Sequence, residues 1–157
     1  MNNIRTLINS GLLASLLVLS GCDTNSNTSA SNLSMPTSNT LKASLSGANE
    51  VPAVVGQGSG TFNASLDPQT RVLKWTISYS ELSGPVTAAH FHGPALAEEN
   101  AKAVVPITGD LTVSPIERSE TLTAAQMDEV QAGKWYVNIH TAANPKGEIR
   151  GQVVVQH

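Results

Sequence analysis

The chain has 157 residues, a formal net charge of −3 and only 13% charged side chains. That length holds one ordinary domain plus extensions, and without a Lys/Arg run it offers no electrostatic footprint for nucleic acid. Aromatic residues are 4% of the chain, so the core is expected to be Val, Leu, Ile and Ala around Phe62, Trp75, Phe91 and Trp135.

In chain order, the first element is a leader. "MNNIRTLINSGLLASLLVLSGC" carries one positive charge, Arg5, then a Leu-rich apolar run, then small residues, the pattern of a secretory signal over residues 1–21. The apolar run ends at Gly21 and falls short of the roughly 20 apolar residues that cross a bilayer. Residues 19–22, "LSGC", resemble a bacterial lipobox. The resemblance implies cleavage before Cys22 and acylation of that residue. Cys22 is the only cysteine, so it forms no internal disulfide, and lipidation removes a free thiol from an oxidising compartment. Each buried CH₂ of an acyl chain contributes about 0.8 kcal/mol, so several chains anchor stably. The expectation is an extracytoplasmic protein whose partner is a bacterial membrane, held through this anchor. Asp23 resembles the inner-membrane retention residue of some Gram-negative lipoproteins.

From Asp23 to Thr40 the chain is almost all Ser, Thr and Asn. So few apolar groups do not offset the entropy of ordering, so residues 22–40 read as the lipidated cysteine and a flexible linker. The folded domain is expected over 41–157.

From Leu41 the period becomes two. Leu41, Ala43 and Leu45 share one face, and so do Phe62, Ala64 and Leu66, with a turn at Asp67-Pro68. Leu73, Trp75, Ile77 and Tyr79 alternate with Val72, Lys74, Thr76 and Ser78, the clearest strand of the chain. "VTAAHFH", "AVVPI" and "LTV" read as further strands. "TAAQMDEVQAG" reads as one helix: Thr123 and Gln126 form a capping box, Met127 and Val130 share a face, and Gly133 ends it. "KWYVNIHT" and "EIRGQVVVQ" alternate again. Short alternating strands separated by turns predict an all-β, antiparallel sandwich or barrel with one short helix.

Parity assigns faces. In "VTAAHFH", Phe91, Ala89 and Thr87 point one way and His90 and His92 the other. In "KWYVNIHT", Trp135, Val137 and Ile139 point inward, and Tyr136, Asn138 and His140 outward. If these strands are neighbours, His90, His92 and His140 converge on one outer sheet surface. His-x-His on a strand with a third distant His is a ligand geometry for copper or zinc. The same residues also fit a structural clasp of backbone-bonded imidazoles. Glu98 and Glu99 follow in a loop as solvated charges or further ligands. Glu148 and Arg150 share a face, as a cross-strand salt bridge or a contact with the histidine face. His157, the terminal residue, reads as disordered or incidental. There is no Gly-x-Ser-x-Gly elbow, phosphate loop or dinucleotide fingerprint.

"LSGANEVPAV", "AAHFHGPA" and "YVNIHTAANPKGEIRGQV" together resemble the CHRD domain, the module named after chordin, over about Leu41 to Val155. The resemblance implies Glu50, His90, His92, Asn138, His140, Asn144, Glu148 and Arg150 as characteristic polar positions, and an extracytoplasmic setting. One departure is Ala53, where a second Pro is common. The resemblance assigns no reaction, and chordin's growth-factor role does not transfer to a bacterial lipoprotein. "LSGPVTAAHFHGPA" is also similar to the His-x-His strand of Cu/Zn superoxide dismutases, although the disulfide cysteines and zinc-loop ligands of that family are missing; this resemblance implies an all-β, antiparallel Greek-key β-sandwich, superoxide dismutase-like or immunoglobulin-like, and a copper-like site. Three readings stay open: a non-enzymatic binding module of the cell envelope with an unidentified protein ligand, a copper or zinc protein using the three histidines, and a hydrogen-bonded clasp with no ligand.

Overall fold

The alternating segments become strands in the computed structural model, which describes residues 38–156. In chain order they are β1 (Asn39–Ser46), β2 (Ser59–Leu66), β3 (Val72–Ser80), β4 (Val86–His92), β5 (Ala103–Pro106), β6 (Ile116–Thr121), β7 (Tyr136–Thr141), β8 (Ile149–Gln152) and β9 (Val154–Gln156), with one helix, α1 (Ala124–Gln131), between β6 and β7. The leader, Cys22, most of the Ser/Thr/Asn segment and His157 lie outside the described residues. The first strand opens at Asn39, two residues before the expected domain start.

All strand pairs are antiparallel, in the order β5-β4-β7-β8-β1-β2-β3-β6, with β9 beside β1. The sheet curls so that its halves pack face to face, giving the expected all-β, sandwich-like fold. The connections β3–β4, β5–β6 and β6–β7 each pass from one half to the other. Phe62 of β2 and Trp75 of β3 meet Phe91 of β4 edge-on, at 5.6 and 5.1 Å between ring centroids, and Trp135 lies 5.9 Å from the same ring. Such pairs contribute about 0.5–1.5 kcal/mol each beyond their burial. Leu41, Leu66, Leu73, Ile77, Val137, Ile139 and Ile149 fill the space around them.

The helix forms where the capping box stands. Gln126 N donates to Thr123 Oγ1 at 3.2 Å and Thr123 N to Gln126 Oε1 at 2.9 Å, satisfying two donors a helix start leaves free. Val130 is fully buried and Met127 packs beside it.

Three expectations need correction. "LTV" is not a strand; the strand lies just beyond it, at β6, where only Ile116 is buried. Its Glu117, Arg118 and Glu120 suit a sheet edge and hide the period-two signal. Thr87 does not point inward with Ala89 and Phe91: the register shifts between Val86 and Ala88, so Val86 is buried and Thr87 exposed. Most consequentially, the outer face of β7 is not a solvent surface. Tyr136, Asn138 and His140 are 3%, 3% and 9% exposed, because the loops after β1, β4 and β7 cover them.

Candidate functional site

Adjacency of β4 and β7 builds the site. His90 is paired with Asn138, Ala88 with His140 and His92 with Tyr136, so period two brings three imidazoles onto one face. One nitrogen from each of His90, His92 and His140 lies within 4.8 Å of the others.

The second nitrogen of two rings is fixed by backbone. His140 Nδ1 stands 3.1 Å from Pro145 O, and His92 Nδ1 stands 3.0 Å from Ala101 O. A carbonyl only accepts, so both Nδ1 atoms carry hydrogen and both Nε2 atoms hold lone pairs. His140 Nε2 faces His90 Nδ1 at 3.1 Å. Among the described residues, His92 Nε2 is buried with no partner. Burial pulls the pKa of His90 down, and the neighbouring His92 adds to this. Burial also lowers His140; the Pro145 bond opposes this while His90 and His92 reinforce it. Both shifts favour the neutral ring, the form that ligates metals.

Two glycines make the site possible. A Cβ on Gly93 would stand 2.3 Å from Trp135 Cδ1, so only glycine lets the chain turn there directly after His92. Gly147 has φ +129°, and a Cβ there would meet Glu50 Oε1 at 2.5 Å.

Around the imidazoles sit the other polar positions. Glu50 is buried, and burial raises its pKa from 4.5 to about 7 although Arg150 and Asn138 pull it down. Glu50 Oε1 and Asn138 Oδ1, like His92 Nε2, are buried without partners among the described residues. All three are acceptors, and leaving such a group unsatisfied costs about 1–3 kcal/mol. Arg150 is 1% exposed, with its guanidinium over the Tyr136 ring and donating into the 96–100 loop. Glu148 does not pair with Arg150 or the histidines. It accepts from Ser83 N at 2.6 Å, Ser83 Oγ at 2.7 Å and Thr141 Oγ1. Burial would raise its pKa, but these bonds together hold it below the usual value. Asn144 turns to the same Ser83 at 3.1 Å. Glu98 and Glu99 are exposed and stay outside the histidine group. Sequence reasoning missed the carbonyls of Ala101 and Pro145, which have no sequence signature. It also missed Ser83, marked only by its place in the turn "SGP".

An all-β sandwich-like domain with a loop-covered polar face is the class of protein these features define. A model of the CHRD domain matches residues 41–153, so the chain belongs to the CHRD family. That family is one of binding modules and is not a known enzyme family. No curated protein and no solved structure matches the chain. Among the described residues no helix is long and apolar enough to cross a membrane.

Proposed function

We propose that this protein is a lipid-anchored, extracytoplasmic binding module whose CHRD domain takes up one copper or zinc ion through His90, His92 and His140. The observation that carries the metal reading is His92 Nε2, a buried lone pair without a partner beside two other imidazoles. A pure clasp would pair every buried ring nitrogen, and this one is unpaired. Two nitrogens sharing a tetrahedral ion at 2.0–2.1 Å lie about 3.3 Å apart, close to the 3.1 Å between His90 Nδ1 and His140 Nε2. Three imidazoles without a thiolate suit zinc or copper, and they leave a coordination position open. To ligate through Nδ1, His90 moves its proton to Nε2. The anchor rests on the lipobox-like "LSGC" and the single cysteine.

The test is calorimetric titration of the purified full chain with zinc and with copper, beside a His90→Ala, His92→Ala double variant. Uptake of one ion that the variant loses supports the reading. No uptake by the parent, with a destabilised variant, makes the cluster a clasp.

A further inference from the structure

The loop from Gly93 to Lys102 covers the histidine face; Gln152 Nε2 donates to its Ala95 O at 2.9 Å, and Arg150 holds it at four further acceptors. Arg150 Nη2 donates to the carbonyls of Leu96 (3.3 Å), Ala97 (3.0 Å) and Glu99 (2.7 Å), and Nη1 donates to Asn100 Oδ1 at 3.2 Å. The next residue, Ala101, supplies the carbonyl that accepts from His92 Nδ1. A guanidinium is the one side chain with the flat, forked donor set to hold several acceptors together; a lysine ammonium is a single point.

A second route reaches the same ring. The Arg150 Cζ lies 3.4 Å from the Tyr136 ring centroid. His92 stacks on Tyr136 at 4.8 Å with an interplanar angle of 3°. Since β7 runs between β4 and β8, Tyr136 is sandwiched between His92 and Arg150. Its hydroxyl also contacts Ala101, accepting from the backbone N at 3.2 Å. His90 and His140 have no such tie: His140 is oriented by Pro145 from a different loop.

We propose that Arg150 is a positioning residue for His92: it holds the Gly93–Lys102 loop and the Tyr136 ring so that His92 Nδ1–H stays on Ala101 O and Nε2 stays open to a metal. This rests on the metal reading above. Partners that orient a ligating histidine typically contribute 10–100-fold to metal affinity.

The experiment compares full chain with Arg150→Lys and Asn100→Ala. The tautomer of each histidine in the metal-free protein is read from two-bond ¹H–¹⁵N imidazole spectra, followed by zinc affinity. The expected parent spectrum has His92 and His140 both fixed as Nδ1–H. Arg150→Lys is expected to give His92 mixed tautomers, to leave His140 unchanged and to weaken zinc about 10–100-fold. Asn100→Ala, at an exposed loop position, is expected to shift His92 in the same direction by less, and it carries the test if Arg150→Lys does not fold. An unchanged His92 tautomer in folded variants overturns the proposal, and so does an equal change in His92 and His140, which marks general loosening. If the parent takes up neither zinc nor copper, the metal reading falls, and the tautomer result alone decides whether Arg150 positions His92.

Discussion

His90 Nδ1 stands 3.1 Å from His140 Nε2, and His140 turns its other nitrogen to Pro145 O at the same distance. The two rings therefore form a chain in which a carbonyl fixes one tautomer and that tautomer fixes the next. His140→Asn breaks the chain and removes a ligand together. The metal-free variant is expected to lose about 1–2 kcal/mol of stability through the lost hydrogen bonds. Zinc at about a hundred times its dissociation constant stabilises a folded state by about 2.7 kcal/mol; urea unfolding with and without zinc should show this shift in the parent and none in His140→Asn. An equal shift in both places the ion elsewhere.

Glu50 sets an opposing pH dependence. Its native pKa is raised from 4.5 to about 7, by burial first and against Arg150 and Asn138. A carboxyl whose folded pKa lies above its unfolded one stabilises the fold fully below about 4.5, and that stability is lost as pH rises through about 7. His90 and His140, lowered by burial, run the other way: their contribution is present above the unfolded histidine value and is lost on acidification. Comparing Glu50→Gln with the parent cancels the histidines. The variant is expected to match the parent near pH 4 and to exceed it by about 3 kcal/mol at pH 8. Urea midpoints at pH 4, 6 and 8 check this, and a pH-independent difference refutes it.

Gly93→Ala tests how tightly the turn after His92 is packed. Its Cβ would sit 2.3 Å from Trp135 Cδ1 and 2.9 Å from Lys134 O. Trp135 is fully buried, and its Nε1 donates to Glu129 at 2.9 Å, so it has little room to yield. A loss of about 3 kcal/mol is expected, with a change in tryptophan fluorescence. Gly84→Ala, where a Cβ meets nothing within 4 Å, serves as the control and should stay within about 0.5 kcal/mol.

Cys22→Ser tests the anchor. As the only cysteine, Cys22 is the single site a thioether-linked lipid label reports. Incorporation of labelled fatty acid and membrane fractionation of the parent, both lost in the variant, are the expected outcome. A variant that still fractionates with the membrane shows that something else holds the protein there.

The sequence by itself determined what repeats locally. Period two put Leu41, Phe62, Leu73, Trp75, Val137 and Ile139 in the core, and Thr123 with Gln126 marked the helix start. Three segments in fixed order were enough to assign the family. Parity also put His90, His92 and His140 on the face opposite Phe91 and Ile139, because neighbouring side chains on a strand must point opposite ways. Where alternation was weak, the reading failed: β6 buries only Ile116, and the shift at Val86 reversed Thr87. Tertiary structure alone decided that β4 lies beside β7 and that the polar face is covered. It also gave Arg150 its partners in the 96–100 loop rather than Glu148. The physical reason is that these partners are mostly backbone carbonyls, which every residue carries, brought from about fifty positions away by strand order. Side-chain identity encodes which face a residue takes; it does not encode which distant carbonyl will meet it.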